Sequence, residues 1–296
     1  MLKKHGYPDC NAVYRVYSKY DIIVEKSIKI EFMEEDSMGK IIAVGNQKGG
    51  VGKSTTVYNL GVSMAQKGLS VCLVDMDVQS SLSQACGMDP MAFEVNITAL
   101  FEDKPAEKIA DAVYDLGLGL EGNLHIICST PMLASVEMSL VQARNREFRL
   151  KKALQYIKDA YDYILIDCMP SLSLLTINSL TAADYLVIPG ECSRLAHFAF
   201  ELFLETTEGI KEDLNENLKV LGVIASMYDS RATEDREVLA ELKDNHNLLG
   251  IIKRTTIAKK YVKQGIPAVL GNPKAQISQE YKAITERILK LIEEDK

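Results

Sequence analysis

Short apolar runs alternate with amphipathic segments from Met38 onward. The apolar runs do not alternate with polar residues, which is typical of parallel strands buried on both faces. The predicted strands cover residues 41–44, 71–74, 124–127, 163–166, 185–188 and 220–224. Helical patterns lie between them, at residues 55–67, 146–160 and 236–242 among others. This βα alternation predicts an α/β fold, a doubly wound, mostly parallel sheet with helices on both faces.

Residues 1–37 differ from the rest of the chain, since they are rich in Tyr, Lys and Glu. They are interpreted as a β-rich structural extension, a short partner-binding arm or a translated leader. The leader is favoured because codons for Glu34-Glu35-Asp36 can spell a purine-rich ribosome-binding sequence ahead of an ATG at Met38. N-terminal sequencing that found earlier residues would contradict it. Residues 38–296 contain no clear linker, so we predict a single domain there.

Net charge, cysteine content and the length of the apolar runs limit the partners and the cellular location that can be expected. The 296 residues carry a net charge of −7 with a pI of about 5.3, so any DNA contact must come from a local basic patch. Six scattered cysteines without a C-x-x-C pair predict reduced core thiols rather than disulfides or a zinc site. No apolar run reaches the roughly 18 residues of a membrane span, and no signal peptide is evident. A cytoplasmic location is therefore expected.

A glycine-rich loop joins the first predicted strand to the first predicted helix, which is the context that a phosphate-binding loop requires. Its glycines let backbone N–H groups converge, and the following helix adds free N–H groups and a positive dipole end. Lys53 can reach the β- and γ-phosphates, and the Ser54 hydroxyl can ligate Mg²⁺. The candidate nucleotide-binding residues of this loop are Lys48, Gly49, Gly50, Val51, Gly52, Lys53, Ser54 and Thr55. Gln47 stands where the general P-loop pattern has glycine.

Acidic residues follow two of the predicted strands. Asp75 and Asp77 come directly after the strand at 71–74, and Asp167 follows the strand at 163–166. Ligand sites of α/β sheets form at the carboxyl ends of strands. Four apolar residues before Asp167 make a Walker B pattern, so this carboxylate is a candidate Mg²⁺ ligand through water. Taken alone, the Asp75-x-Asp77 pair is equally typical of solvated carboxylates.

The segment Lys48-Gly49-Gly50-Val51-Gly52-Lys53-Ser54 resembles the deviant Walker A motif of the ParA/MinD family. Segments 75–79 and 167–184 resemble its ParA/Soj-type partition ATPases, and the resemblance covers roughly residues 39–290. Val78 and Met169 depart from it, since the family usually has proline at both positions.

This resemblance implies that ATP and Mg²⁺ drive formation of a nucleotide-sandwiched homodimer. Lys48 would contact the phosphates bound by the partner, and Asp77 would position the attacking water. Asp75 would support the Mg²⁺ shell, alongside Ser54 and Asp167. Two further nucleotide-site residues are implied, and they are Asn178, across the dimer, and Met227, in a segment that frames the base.

The stretch 251–264 has five basic side chains and no acid. The resemblance implies non-specific DNA binding through C-terminal basic residues, here Lys253, Arg254, Lys259, Lys260 and Lys263. A solvated helix face is the alternative. A second basic cluster is interpreted mainly as surface, and it comprises Arg144, Arg146, Arg149, Lys151 and Lys152.

The function that the resemblance implies is a slow, Mg-dependent ATPase on the nucleoid. A ParB-like centromere-binding protein would stimulate it, and the cargo would be a plasmid or a chromosome. The alternatives are a MinD-like or other positioning or regulatory ATPase and a DNA-binding scaffold without hydrolysis. Acids at the chain's end, Glu293, Glu294 and Asp295, disfavour an anionic membrane surface. The retained Lys53, Asp77 and Asp167 argue against the scaffold.

Overall fold

A mostly parallel sheet of eight strands forms the centre of the computed structural model, which describes residues 39–255, 261 and 264–295. The strands are β1 (Lys40–Val44), β2 (Val71–Asp75), β3 (Val113–Asp115), β4 (Leu124–Ile127), β5 (Tyr163–Asp167), β6 (Tyr185–Glu191), β7 (Lys219–Tyr228) and β8 (Leu248–Lys253). Their order is β3-β4-β2-β5-β1-β6-β7-β8, and only the edge strand β3 pairs in the antiparallel sense. The six predicted strands are confirmed, while β3 and β8 were not predicted.

Helices connect the strands, and their bounds differ from the predicted ones. The α-helices of the described residues are α1 (Lys53–Ala65), α2 (Ser81–Ala85), α3 (Leu133–Leu140), α4 (Arg149–Leu154), α5 (Leu174–Ala182), α6 (Arg194–Asp213), α7 (Thr233–Asn245), α8 (Ala268–Gly271) and α9 (Gln276–Glu294). The continuous helix predicted over 146–160 is wrong. That segment consists of α4 flanked by 3-10 turns at Arg146–Phe148 and Lys158–Ala160.

Each face of the sheet has its own apolar core, as a doubly wound fold requires. Successive residues of β1 point to opposite faces, so Ile41 packs into one core and Ile42 into the other. Helices α3 to α7 cover the first core, and α1, α2, α8 and α9 cover the second. The strands are therefore apolar at nearly every position, which is why their runs stand out in the sequence.

The last helix, α9, packs along the domain. Its buried residues Ile277, Tyr281, Ile284, Ile288 and Ile292 recur at helical spacing and belong to the second core. The apolar face of α9 is thus used inside the chain. Within the described ranges, no helix is both long enough and apolar enough to cross a membrane.

Two groups of sequence predictions fall partly outside the described residues. Five of the six cysteines are described, and they are buried and free: Cys72, Cys86, Cys128, Cys168 and Cys192. The N-terminal extension at 1–37, with Cys10, lies outside the described residues, as do Lys259, Lys260 and Lys263.

Candidate nucleotide-binding site

The glycine-rich loop lies between β1 and α1, at the centre of the sheet. Gly50 and Gly52 have φ values of 77° and 91°, in the left-handed region that favours glycine. A Cβ added at either position would meet nothing within 4 Å, so the loop surrounds open space. Gly52 also precedes the first residue of α1, whose free N–H groups face the loop. This is a cradle with room for phosphate groups.

Two buried side chains that the sequence analysis overlooked fix this loop. Asn46 is 1% exposed, and its Nδ2 donates to the carbonyl of Pro189 at 2.7 Å. Its Oδ1 accepts from the Lys48 N–H at 2.8 Å. On the other side, the Ser226 hydroxyl donates to the Val51 carbonyl at 2.8 Å. The loop is therefore tied to the ends of both β6 and β7.

Lys53 opens α1 and turns back over the loop. Its ammonium donates to the Lys48 carbonyl at 3.1 Å, and the residue is only 6% exposed. Burial lowers its pKa, while the carboxylates of Asp167 and Asp77 act in the opposite direction. Ser54 and Thr55 follow in the first turn of α1 and are half-buried. A cation held at a phosphate cradle between two acids is the arrangement expected of a P-loop lysine.

Two carboxyl groups lie side by side at the carboxyl ends of adjacent strands. Asp75 of β2 is paired with Asp167 of β5 in the parallel register, and both side chains are buried. Burial raises the pKa of Asp167 well above its usual range, and Asp75 raises it further. The nearby Ser54 hydroxyl and Lys53 ammonium oppose this rise. Burial also raises the pKa of Asp75 to about 6.

The two carboxylates differ in their hydrogen bonds. Asp75 Oδ2 accepts from the N–H and the hydroxyl of Ser83, at 2.8 and 2.7 Å, and Oδ1 accepts from the Asp77 N–H at 3.1 Å. Neither oxygen of Asp167 has a hydrogen-bond partner within the described part of the chain. A buried carboxylate without a donor is costly unless a cation compensates it. Asp167, with the Ser54 hydroxyl nearby, therefore fits a Mg²⁺ site made of oxygen ligands.

A short network positions Asp77 beside this pair. The Asp77 carbonyl accepts from the Ser129 hydroxyl at 2.7 Å, and the Ser129 N–H donates to the Ser83 hydroxyl at 3.0 Å. Asp77 Oδ1 also accepts from the Gln79 N–H at 2.9 Å. Ser83 and Ser129 were missed by the sequence analysis, because a lone serine carries no motif.

The Lys48 side chain contacts residues at and just after the end of β6. Its ammonium lies 2.8 Å from Glu191 Oε2 at the end of β6, and 3.5 Å from the Ser193 hydroxyl. The other oxygen of Glu191 accepts from Arg254 Nη2 at 3.0 Å. One predicted DNA-binding residue is thus joined to the loop through a carboxylate. Lys253 ends β8, and its side chain is exposed.

Of the two other predicted nucleotide contacts, one is near the loop and one is not. Met227 adopts a φ of 55° at the end of β7, directly after the Ser226 that bonds to the loop. Asn178 is fully buried in α5, where its oxygen accepts from the Leu150 N–H at 3.1 Å and its nitrogen donates to the Arg146 carbonyl at 2.8 Å. Among the described residues, the Asn178 amide holds α4 against α5, and its contact with nucleotide across the dimer stays a prediction.

The second basic cluster is engaged on the surface. Arg146 bonds to Glu147 at 2.8 Å and to the Val141 carbonyl at 2.6 Å. Arg149 pairs with Asp103 at 3.1 Å. These contacts fit the interpretation of this cluster as surface.

The fold, the loop and the acidic strand ends define a P-loop nucleotide-binding protein. An AAA domain model (AAA_31) matches residues 39–220. The chain is 37% identical over 254 residues to the sporulation initiation inhibitor protein Soj of Bacillus subtilis, across 85% of this chain and 98% of Soj. It is 35% identical over 262 residues to the chromosome partitioning protein ParA of Myxococcus xanthus, across 86% and 89% of the two chains. The chain therefore belongs to the ParA/Soj family of P-loop ATPases.

Solved structures agree with this assignment. The cobyrinic acid a,c-diamide synthase of Mycobacterium smegmatis, solved with a bound ATP analogue and magnesium, superposes with a TM-score of 0.74 at 31% identity. The match covers 87% of this chain and 97% of that one. The family thus includes proteins with names other than partition ATPase.

Proposed function

We propose that this chain is a Mg-dependent ATPase that ATP converts into a DNA-binding homodimer for plasmid or chromosome partition. The observation that carries the ATPase is the buried, unpartnered Asp167 carboxylate close to Lys53 and the glycine cradle. A bound cation would compensate the Asp167 carboxylate, and a phosphate chain would fill the glycine cradle beside Lys53. Bound Mg²⁺ would neutralise charge on the phosphate oxygens during transfer.

The roles of the chain's own residues follow from their positions. The N–H groups of the cradle and Lys53 would bind the phosphates, while Ser54 and Asp167 would hold the cation. Asp77 would orient the attacking water from its fixed place beside β2. Nearby groups offer positioning and charge rather than a strong base, so turnover by the protein alone should be slow.

Dimerisation supplies the second part of the proposal. In a nucleotide-sandwiched dimer, Lys48 would reach the phosphates held by the partner. A second cation at the phosphates stabilises the charge that spreads over their oxygens. ATP would then act as the signal for assembly, and hydrolysis would release the dimer.

Partition is proposed because of the relatives. The relatives named Soj and ParA align over most of their own length, and ParA is named as a chromosome partitioning protein. A ParB-like protein bound at a centromere-like site would stimulate hydrolysis, and the dimer would occupy the nucleoid. A MinD-like role at a membrane is less well supported, since the apolar face of α9 packs inside the chain.

The test is binding to non-specific DNA with ADP, ATP and a slowly hydrolysed ATP analogue. The variants are wild type, Lys259/Lys260/Lys263→Glu and a matched control, Arg144/Lys151/Lys152→Glu, in the second basic cluster. We expect binding with ATP and the analogue only, lost in the first variant and kept in the control. No binding in any nucleotide state would contradict the DNA-binding proposal and favour a positioning ATPase. Equal loss in both variants would contradict the assigned surface.

A further inference from the structure

Glu191 is the common partner of Lys48, which the proposed function places at the partner's phosphates, and of Arg254, which the sequence analysis predicted to bind DNA. One of its oxygens lies 2.8 Å from the Lys48 ammonium, and the other accepts from Arg254 at 3.0 Å. Lys48 and Glu191 are 143 positions apart in the sequence. Their contact is made by the loop after β1 and the end of β6, two adjacent strands of the sheet.

The backbone on both sides of this contact is fixed. Asn46 bonds to the Lys48 N–H and to the carbonyl of Pro189, which lies two residues before Glu191. Both bonds are made by one buried amide, so the two segments keep a constant separation. The ion pair therefore bridges two segments whose backbones are already joined by Asn46.

The pair is also favourable in charge. The hydrogen bond from Lys48 is the largest cause that lowers the pKa of Glu191, and Arg254 lowers it further. Glu191 is thus ionised at neutral pH. Both side chains of the pair are 26% exposed, so solvent screens the attraction only in part.

We propose that Glu191 is a positioning residue that holds Lys48 in its own subunit and so opposes ATP-dependent dimerisation. This inference rests on the proposed function, in which Lys48 contacts the partner's phosphates. A Lys48 ammonium held by Glu191 in its own subunit must leave that carboxylate before it can cross to the partner. Arg254 orients Glu191 by binding its second oxygen.

The size of the effect follows from the exposure of the pair. A partly exposed ion pair shifts an equilibrium about threefold. A symmetric dimer breaks two such pairs, so the dimer dissociation constant should change about tenfold when both are removed.

The test is the dimer dissociation constant, measured by sedimentation equilibrium with Mg²⁺ and a slowly hydrolysed ATP analogue. Glu191→Gln keeps the shape of the side chain and removes its charge, and we expect a dissociation constant about tenfold lower. The matched control is Glu208→Gln, which breaks a Glu208–Lys211 pair of 2.9 Å within helix α6. The control should match wild type.

Two further variants separate the proposed cause from simpler ones. Glu191→Asp keeps the charge but shortens the reach, so its dissociation constant should fall between wild type and Glu191→Gln. Lys48→Gln/Glu191→Gln should remain monomeric, because the gain acts through Lys48. A dimer of this double variant would overturn the inference, since general charge removal would then explain the gain.

The outcomes also distinguish this inference from the proposed function. If wild type dimerises with the analogue and Glu191→Gln has an unchanged or higher dissociation constant, the inference is wrong and the proposed function stands. If neither wild type nor Glu191→Gln dimerises at any protein concentration, the proposed dimer switch itself fails. Thermal unfolding of each variant shows that the comparison is made between folded proteins.

Discussion

Asp75 and Asp167 stand opposite each other where β2 and β5 end, and both carboxyl groups are buried. The Asp75 carboxylate accepts hydrogen bonds from Ser83 and from the Asp77 N–H. The Asp167 carboxylate accepts no hydrogen bond from the described residues. Two like charges at paired positions of adjacent strands disfavour ionisation of both groups. The nucleotide-free site is thus unfavourable in charge, and a divalent cation is the ligand that relieves it.

Replacing Asp167 by asparagine should therefore separate stability from binding. Without nucleotide at pH 7, Asp167→Asn should raise the free energy of unfolding, because no buried charge or proton uptake is needed. The further stabilisation by Mg²⁺ with ATP should be lost. Urea unfolding with and without Mg-ATP measures both effects. The control is Asp244→Asn, an exposed change on α7, and a destabilised Asp167→Asn protein would contradict the explanation.

The raised pKa of Asp75 predicts the pH dependence of the nucleotide-free protein. Its pKa rises from 3.8 to about 6 on folding, so the unfolded chain loses this proton first as pH increases. Stability from the protonated group is complete below about pH 4 and is lost as pH rises through about 6. The decrease should reach about 3 kcal/mol. Urea unfolding between these pH values should show a decrease that is about 3 kcal/mol smaller in Asp75→Asn than in wild type, because the buried Asp167, whose pKa is also raised, still contributes its own decrease. Parallel curves would contradict the assignment to Asp75.

Asn46 should matter both for folding and for nucleotide affinity. Asn46→Ala removes the bonds to the Pro189 carbonyl and the Lys48 N–H and leaves both groups without their partner. We expect a loss of about 1–3 kcal/mol in unfolding free energy, and about tenfold weaker ATP binding because the loop is no longer held. Urea unfolding and nucleotide titration measure these effects. Asn217→Ala, an exposed change before β7, should alter neither, and wild-type affinity in Asn46→Ala would contradict the role of Asn46.

Asn178 should matter for folding but not for nucleotide affinity. Asn178→Ala breaks its bonds to the backbone of Leu150 and Arg146, so we expect a loss of about 1–3 kcal/mol in unfolding free energy. Nucleotide affinity of the folded variant should stay within about twofold of wild type. Measured below the unfolding transition, a large loss of ATP binding at unchanged stability would restore the role in nucleotide binding that the sequence suggested.

Much of the fold follows from apolar runs whose physical cause is burial on both faces. Residues such as Ile41 and Ile42 face different cores, so β1 could be predicted without knowledge of its neighbours. The edge strand β3 has three residues, and only Val113 among them is buried, so no run marks it. Strand β8 was not predicted, and its last residue, Lys253, belongs to the basic stretch at 251–264 that was interpreted as a DNA-binding surface.

The candidate site could be predicted where chemistry is tied to a fixed spacing along the chain. The glycines and Lys53 form one continuous motif, and Asp167 follows a recognisable strand. Asn46, Ser83 and Ser129 act through contacts between segments distant in sequence, and nothing local distinguishes them from other polar residues. Asn178 shows the converse, since its position within a family-like segment suggested a ligand contact, whereas its contacts among the described residues are with the backbone of α4 and α5 and of the turn before α4.

The most direct measurement is sedimentation equilibrium of wild type and Lys48→Gln with Mg²⁺ and either ADP or a slowly hydrolysed ATP analogue. Wild type should be a monomer with ADP and a dimer with the analogue. Lys48→Gln should be a monomer with both, while nucleotide titration shows that it still binds them. The same assembly state of wild type with ADP and with the analogue would contradict an ATP-driven dimer switch.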